Sequence, residues 1–362
     1  MENKKIRIIY MIADAGFSGG PIQLYHLVSS IDLNVYEPIV IAPEGNLKEK
    51  LVKLKVPYYD FTFQRGLRNW LKFQAIIKPL LQDSVIIHCH GVRAGYFGRR
   101  LNKKLRLPLV YTEHNWTKDY TLSQNWRRYY QLRELKKLNK YTTHTVAVSK
   151  AVRDFLVEKH IVDKENVSVI YNGVDFKSIK RRTEFSPVVL GTIASLHKRK
   201  GLVYLFETLA KLKKHHNDKF ILKIVGGGPQ EAYLKQHSVA LGINFDVQWL
   251  GEIQDLEEFW SSINIYVQPS LDESFGMAVA EAMGYKIPVV ATTAGALPEI
   301  VGDAGLLVRP TDTDQLAKAI ENIVHNHTIR TDNVEKAYKQ VRKNFTIDKM
   351  AEKYQKLYQK IL

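Results

Sequence analysis

Two glutamates, Glu273 and Glu281, are the side chains whose type and spacing best suit chemistry. They enclose seven residues and stand just after a Pro-Ser pair, Pro269 and Ser270. On one continuous helix, residues eight positions apart lie about 12 Å apart along the axis. That is too far for the usual acid/base pair of a glycosidase. The spacing predicts contacts with two ends of one long polar ligand. The alternative is one glutamate that caps a helix and one that faces solvent.

The surrounding sequence predicts a strand, a loop and a helix. Alternating apolar residues over 263–267 predict a buried strand, and small residues continue to Gly284. We expect Ser274, Phe275 and Gly276 to supply the first free backbone N–H groups of the helix. Such a helix start attracts anions, because its unpaired donors and its dipole both point outward. A sugar nucleotide fits, with its diphosphate over the helix start and hydroxyl-rich groups on either side.

The stretch ESFGMAVAEAMG, residues 273–284, resembles the signature of the retaining, GT-B-fold glycosyltransferases of family four, the group 1 glycosyltransferases. The resemblance implies that Glu273 and the backbone amides after it bind the donor sugar and its phosphates. It also implies that Glu281 holds the ribose hydroxyls.

An adjacent glycine pair follows the first predicted strand. Gly19 and Gly20 precede Pro21, a residue suited to the start of a helix, and they let a phosphate approach the backbone closely. A plain strand–helix turn is the alternative. The resemblance implies that the pair meets the donor's phosphate and the acceptor, although many members have an acidic residue where this chain has Ile22. It also implies that His114, at the end of another predicted strand, contacts the donor sugar's hydroxyls near the leaving phosphate.

Lys200, which precedes Gly201, resembles the lysine that clamps the donor diphosphate in the family. An ammonium there would stabilise the negative charge that builds on the departing phosphate. The family normally has an arginine five or six residues earlier, where this chain has Ser195 and Ala194. Either Lys198 or Arg199 replaces it, or the leaving group depends on Lys200 and helix dipoles.

The nucleotide is expected beside two further turns of the second half. Gly227 lies in a glycine-rich turn after a predicted strand. By resemblance, this turn lies next to the nucleotide, and the backbone around Leu250, Glu252 and Ile253 encloses the base.

Two motifs suggest metal binding but fit other roles better. In His88-Cys89-His90, alternate strand positions put only the two histidines on one face, and no further ligand cluster appears in the sequence. We expect His88 to be structural and His90 to line the site. Asp312-Thr313-Asp314 precedes a helical apolar period, which predicts helix N-cap residues. We therefore expect no metal and no cofactor, the nucleotide-sugar donor (such as a UDP- or GDP-sugar) being a substrate.

The 362 residues suffice for two domains, and the formal net charge is +16. Residues 1–175 hold 28 Lys and Arg against 16 Asp and Glu, a net +12, so 16 − 12 = +4 remains for the rest. A basic first half favours an anionic partner: nucleic acid, a membrane face or a phosphorylated substrate. No recognised nucleic-acid module appears in the sequence, so we expect no nucleic-acid partner. The single cysteine, Cys89, excludes an intrachain disulfide, which fits a reducing compartment.

The region around Trp126–Lys137 combines aromatic and basic residues at helical spacing. This combination suits an anionic membrane surface or a nucleic acid. The alternative is an ordinary helix whose aromatic residues belong to the core. No apolar run is long enough to cross a bilayer, and residues 6–13 predict a first strand rather than a leader peptide. We expect a cytoplasmic protein, peripheral at the inner face of the membrane.

Strand-like runs alternate with helical patterns in both halves, which predicts an α/β protein with parallel sheets. The resemblance implies the GT-B architecture, two Rossmann-like domains facing a central cleft. We place an acceptor-binding domain at 1–176, a linker at 177–184, a sugar-nucleotide domain at 185–345, and a last helix, 346–362, that packs back on the first domain.

The expected activity is that of a retaining, metal-independent hexosyltransferase. It moves a sugar from a nucleotide donor to a hydroxyl of a lipid-linked or glycan acceptor, in bacterial capsule, O-antigen or exopolysaccharide synthesis. The alternatives are a sugar-nucleotide epimerase of the same fold and a non-catalytic sugar-nucleotide-binding protein.

Overall fold

The computed structural model describes residues 5–16, 18–81, 84–115, 126–215 and 219–362. These residues form two units. The first holds the described residues up to Gly173 together with Ile347–Leu362, and the second holds Val174–Thr346. Residues 175–187, which include the predicted linker, contain neither a helix nor a strand.

The first unit is built on a seven-stranded sheet whose paired strands are all parallel. The strand order is β3-β2-β1-β4-β5-β6-β7. In chain order its strands and helices are β1 (Ile6–Ile12), α1 (Gly19–Ser30), β2 (Tyr36–Ala42), α2 (Asn46–Lys53), β3 (Tyr58–Asp60), α3 (Leu67–Ile77), β4 (Val85–His90), α4 (Gly91–Leu105), β5 (Leu109–Glu113), α5 (Trp126–Asn139), β6 (His144–Ala147), α6 (Lys150–Glu158) and β7 (Val167–Val169).

The second unit repeats this arrangement with six parallel strands in the order β10-β9-β8-β11-β12-β13. Its elements are β8 (Val188–Ile193), α7 (Leu202–His215), β9 (Phe220–Val225), α8 (Glu231–Ala240), β10 (Val247–Gly251), α9 (Glu257–Ser262), β11 (Ile265–Gln268), α10 (Met277–Gly284), β12 (Val289–Thr292), α11 (Leu297–Val301), β13 (Leu306–Val308), α12 (Thr313–His325) and α13 (His327–Asn344).

The last helix, α14 (Ile347–Ile361), belongs to the first unit. It packs against α1, and its buried face carries Met350, Tyr354, Leu357 and Tyr358. These positions recur at helical spacing, so a single stripe covers the sheet. The tyrosines remain polar at their tips, and Tyr358 donates a hydrogen bond to the Tyr10 hydroxyl at 3.3 Å.

Both sheets have the order of a doubly wound Rossmann fold, in which the strand order reverses at one point. In the first unit this switch point lies between β1 and β4, and in the second it lies between β8 and β11. Ligands of such sheets bind beyond the carboxyl ends of the strands at the switch point. The segments that follow these four strands are therefore the candidate ligand-binding segments.

The strand-like runs of the sequence agree with the observed strands to within two residues at each end. These runs are 6–13, 38–42, 85–88, 109–112, 145–148, 167–170, 188–194, 220–225, 246–250, 263–267 and 288–291. The sequence misses β3 and β13, each only three residues long and each at the edge of its sheet. It identifies the N-cap at Asp312 correctly, because the Asp312 carboxylate accepts a hydrogen bond from the Gln315 amide at 2.9 Å. In the described parts of the chain, no helix is both long and apolar enough to cross a bilayer.

Candidate active site

The structure brings Lys200 and Glu273 together at the switch point of the second sheet. Lys200 follows β8 and Glu273 follows β11, and Lys200 Nζ donates to Glu273 Oε2 at 2.5 Å. Each side chain is only 12% exposed. Two residues 73 positions apart in sequence thus form a nearly buried ion pair where a ligand of this fold is expected.

The surroundings of Glu273 keep it ionised. Burial acts to raise the pKa of its carboxyl, but the positive charges of Lys200 and Arg199 act in the opposite direction. Hydrogen bonds from Lys200 and Ser270 add to their effect, and the pKa of Glu273 lies below its ordinary value.

A chain of buried hydrogen bonds supports Glu273 from behind. The Tyr266 hydroxyl donates to Gln268 Oε1 at 2.6 Å, Gln268 Nε2 donates to Ser270 Oγ at 2.7 Å, and Ser270 Oγ donates to Glu273 Oε2 at 3.2 Å. Tyr266, Gln268 and Ser270 are all buried. The same tyrosine hydroxyl accepts from the Ile193 amide at 3.3 Å, so the chain also reaches the end of β8.

Two glycines let the backbone pack tightly around this loop. A Cβ on Gly201 would lie 2.1 Å from the carbonyl oxygen of Pro269, and one on Gly295 would lie 2.1 Å from that of Glu273. Both glycines have positive φ, 66° and 54°. Any side chain at either position would push the loop away from its neighbours.

Helix α10 begins later than the sequence suggests. Its first residue is Met277, and Gly276 is the N-cap in a left-handed conformation with φ of 93°. Ser274 and Phe275 therefore lie in the loop, and the expectation that Ser274, Phe275 and Gly276 open the helix is wrong. The physical reason is the positive φ of Gly276, which a helical residue cannot adopt. All three residues are buried, and they directly follow Glu273 in the sequence.

Glu281 lies in the second turn of α10 and is half-buried. Its negative charge and that of Glu273 both act on Tyr266, whose pKa is raised first by burial and then by these two carboxylates. The two signature glutamates thus lie within electrostatic range of the same buried phenol.

The two cations considered as substitutes for the absent arginine differ in position. Arg199 is half-buried, its charge lowers the pKa of Glu273, and its carbonyl accepts from the Leu271 amide at 2.8 Å. Lys198 is exposed. Ala194 is buried and Ser195 is exposed.

The glycine turn after β9 lies beside the predicted base site. A Cβ on Gly227 would lie 3.7 Å from Glu252 Oε1. The Gly227 carbonyl accepts from the Leu196 amide at 2.9 Å, which joins this turn to the loop that leads to Lys200. Leu250 and Glu252 are exposed, and Ile253 is half-buried. The predicted base-site residues therefore lie at the carboxyl ends of two neighbouring strands, β9 and β10.

In the first unit, Gly20 lies beside His114. Helix α1 begins at Gly19, and a Cβ on Gly20 would lie 3.9 Å from His114 Cδ2. His114 Nε2 is 3.0 Å from His90 Nδ1. Burial lowers the pKa of His114 to about 4, so its ring is neutral at pH 7.

Both ring nitrogens of the neighbouring His88 are hydrogen-bonded to protein side chains. His88 Nδ1 is 2.7 Å from the Tyr358 hydroxyl, and His88 Nε2 is 2.8 Å from Thr112 Oγ1. Within the residues that the structure describes, no three His, Cys, Asp or Glu side chains are grouped so that they could hold a metal ion.

Two family models match the chain in succession. The model of glycosyltransferase family 4 matches residues 17–178, and that of glycosyl transferases group 1 matches residues 175–340. The second match contains the whole strand–loop–helix segment around Glu273. The chain belongs to the group 1 glycosyltransferases.

Proteins with similar sequences include other glycosyltransferases. An uncharacterized glycosyltransferase of Methanocaldococcus jannaschii, MJ1607, is 25% identical over 75% of this chain and 74% of its own length. The O-antigen chain mannosyltransferase RfbU of Salmonella typhimurium is 32% identical over 52% of this chain and 53% of its own length, so the match spans about half of that protein.

The fold matches those of solved structures, among them a glycosyltransferase from Rickettsia africae ESF-5, with a TM-score of 0.77 over 99% of each chain at 21% identity. Anabaena Alr3699/HepE, crystallised with UDP and glucose, superposes with a TM-score of 0.85 over 98% of this chain and 100% of the other, at 21% identity. The predicted α/β fold of GT-B type, with two Rossmann-like domains, is confirmed.

Sequence reasoning overlooked the side chains that support the signature of this glycosyltransferase. Tyr266, Gln268 and Ser270 are polar residues at every second position of an otherwise apolar strand and its extension. Since alternate positions share a face, this pattern could have indicated a polar chain behind Glu273.

Proposed function

We propose that this glycosyltransferase transfers a hexose, with retention, from a nucleoside-diphosphate sugar to a hydroxyl of a lipid-linked or glycan acceptor. The observation that carries the proposal is the buried Lys200–Glu273 pair at the switch point of the second sheet. The UDP and glucose in the Anabaena structure and the O-antigen role of the Salmonella relative support this substrate class and an assignment to bacterial surface-polysaccharide synthesis.

In this proposal Lys200 neutralises the departing diphosphate, while Glu273 and Glu281 position the donor sugar and the ribose. His114 and Gly20 keep the roles implied by the resemblance, contact with the sugar hydroxyls and with the diphosphate. The bond between the sugar's anomeric carbon and the diphosphate oxygen breaks. A bond to the acceptor oxygen forms on the same face, and the proton of the acceptor hydroxyl passes to the departing diphosphate oxygen. Metal independence is carried over from the family resemblance.

Thermal shifts test donor binding directly. The protein is mixed with a panel of sugar nucleotides and free nucleotides, as wild type and as Glu281→Ala. A ligand that binds only the folded state raises the melting temperature. We expect one sugar nucleotide to do so for wild type and not for Glu281→Ala. The control is Glu335→Ala, which removes an exposed glutamate paired with Lys286. If no nucleotide shifts the wild type, the proposal fails.

Turnover separates the alternatives. An epimerase of the same fold would convert a UDP-sugar to its epimer without an acceptor. A non-catalytic sensor, which the absent arginine at Ala194 and Ser195 favours, would neither hydrolyse nor transfer the sugar above background. Transfer to an acceptor hydroxyl without epimer formation would support the transferase.

We also propose that the first unit docks on an anionic membrane face. On α5, Tyr129 is 74% exposed, and Arg133 and Lys136 are exposed at helical spacing from it, so the alternative that this aromatic belongs to the core is wrong. Among the described side chains of α5, the buried ones are those of Glu134, Leu135 and Leu138. An aromatic ring flanked by cations suits the interface of an anionic bilayer.

Vesicle sedimentation tests this docking. We expect binding to anionic vesicles at low salt, no binding to zwitterionic vesicles, and loss in the double variant Arg133→Gln/Lys136→Gln. The matched control is Lys336→Gln/Lys339→Gln, which removes two exposed cations with the same spacing from α13 in the second unit. If wild type ignores anionic vesicles, membrane docking is wrong.

A further inference from the structure

Two histidines of β4 are hydrogen-bonded to residues of the neighbouring strand or just beyond it. His88 bonds to Thr112 at 2.8 Å, and His90 bonds to His114 at 3.0 Å. Strands β4 and β5 run in parallel with His90 beside Thr112. Because alternate residues of a strand share a face, the four side chains form two successive pairs on one face of the sheet. The second pair lies at the carboxyl end of the sheet, where ligands bind.

The contact between His90 and His114 is an end-to-end hydrogen bond. The ring centroids are 5.3 Å apart and the ring planes are inclined by only 23°. The centroids are therefore separated by the bond length plus about one ring diameter, as expected when the bond lies near both ring planes. His90 is 2% exposed, and its other nitrogen, Nε2, has no hydrogen-bond partner among the described residues.

Both rings are neutral at pH 7, so each carries one N–H group. Burial, followed by the charges of His88 and His114, keeps the pKa of His90 well below its ordinary value, and burial lowers that of His114 to about 4. Two arrangements satisfy the bond. Either His90 Nδ1–H donates to His114 Nε2, or His114 Nε2–H donates to His90 Nδ1.

The two arrangements leave different groups of His90 unsatisfied. In the first, buried Nε2 of His90 is a bare acceptor. In the second, it is a buried N–H donor with no acceptor. Among buried backbone groups, unsatisfied N–H donors are rarer than under-satisfied carbonyl acceptors, and we apply the same order to the ring nitrogens. The first arrangement is thus favoured, and it puts the proton of His114 on Nδ1, which bonds to no described residue.

We propose that His90 is a positioning residue: its Nδ1–H donates to His114 Nε2 and holds His114 in the tautomer that presents Nδ1–H to an oxygen of the substrate. The substrate part of this inference rests on the proposed function, in which His114 contacts a hydroxyl of the donor sugar. The tautomer part depends on the sheet geometry alone. In this tautomer, Nδ1 of His114 donates a hydrogen bond to the ligand and cannot accept one from it.

Long-range ¹H–¹⁵N NMR of the ¹⁵N-labelled protein at pH 7 tests the tautomer without turnover. We expect the wild-type His114 ring to be protonated on Nδ1, and His90→Leu to lose this preference. His90→Asn should keep it, because an amide nitrogen can replace the ring Nδ1 as donor. The control is His144→Asn, which changes a histidine that bonds to Ser168 in the same unit. Protonation of wild-type His114 on Nε2, or an unchanged tautomer in His90→Leu, would overturn the proposal.

Kinetics test the consequence for the substrate. We expect kcat/KM to fall about tenfold in His90→Leu, the effect of one weakened hydrogen bond, and to recover in His90→Asn. An unchanged kcat/KM in His90→Leu would overturn the substrate part. Should the wild type show no transferase activity, the proposed function fails while the spectrum still decides the tautomer. Should His90→Leu not fold, the wild-type and His90→Asn spectra decide it.

Discussion

At the scale of single residues, Lys200 and Glu273 are coupled through a nearly buried ion pair. Removing one partner leaves the other charge poorly solvated, which typically costs about 3 kcal/mol or more of unfolding free energy. We expect Lys200→Met and Glu273→Gln each to destabilise the protein by about 3 kcal/mol. The double variant should lose clearly less than the sum, since neither charge is then left alone. Urea denaturation of the four proteins measures the coupling.

An exposed ion pair provides the control for this comparison of single and double variants. Lys356 and Glu352 are also in contact, but their side chains are 71% and 61% exposed. Water and salt screen such a pair, and we expect Lys356→Met to change stability by less than about 1 kcal/mol. Additive effects of Lys200→Met and Glu273→Gln would show that the pair is not coupled in solution.

The same pair shows what a single sequence can predict about a site. The residue types of Glu273, Glu281 and Lys200 and their family context were recognisable along the chain. The 2.5 Å contact between Lys200 and Glu273 was not, because it joins loops after two strands that are adjacent only in the folded sheet. The bond between His90 and His114 escaped for the same reason.

At the scale of elements, the loop before α10 depends on glycines whose neighbours leave no room for a side chain. Gly201 and Gly242 have the same φ of 66°. A Cβ on Gly201 would collide with the Pro269 carbonyl, whereas one on Gly242 has no atom within 4 Å. We expect Gly242→Ala to cost only the left-handed strain, about 1–2 kcal/mol. Gly201→Ala should cost more and should also weaken donor binding, measured by calorimetry.

The comparison separates steric displacement from backbone strain, because both substitutions carry the same strain. Gly201→Ala displaces the segment that leads to Glu273, while Gly242→Ala changes a turn after α8. Equal stability losses and unaltered donor affinity in both variants would mean that the loop tolerates a shift, and that its close packing does not position Glu273.

The ends of strands and helices were likewise predictable where local sequence determines them, and not where tertiary contacts do. Strands β8 and β11 were predictable because their residues are buried on both faces of the sheet. Strand β9 was predictable because its first residues alternate between buried and half-buried positions. Strands β3 and β13 were not, since Tyr-Tyr-Asp and Leu-Leu-Val show no alternation of polar and apolar residues. Strand β7 is equally short and also at an edge, but its Val-Ser-Val alternates and was predictable. The start of α10 was misplaced because Gly276 adopts a positive φ that its sequence neighbours, all compatible with a helix, do not reveal.

At the scale of the whole molecule, the two units differ in their buried histidines. His88, His90 and His114, whose pKa values burial lowers, all belong to the first unit. An unfolded histidine binds a proton near pH 6.5. The folded unit stays neutral at these positions to much lower pH, about 4 for His114. Between these limits the unfolded form binds more protons than the folded form. The contribution of these histidines to the free energy of unfolding is therefore fully present above about pH 6.5 and decreases as the pH falls.

Each such histidine contributes a slope of about 1.4 kcal/mol per pH unit within this window, which lies mostly above the range where carboxylates titrate. We therefore expect the first unit to lose more stability between pH 7 and pH 5 than the second, in which the pKa of the exposed His197 is lowered by burial and by the charges of Arg199 and Lys200. Hydrogen exchange, corrected for intrinsic rates, should show lower protection in β4 and β5 at the lower pH, with a smaller change in β8 and β11. His114→Gln should reduce the slope of the first unit by the contribution of one proton. Equal losses in both units, or an unaltered slope in His114→Gln, would mean that these histidines take up their protons without unfolding, and that the hydrogen-bonded pair of His90 and His114 is more accessible than its burial implies.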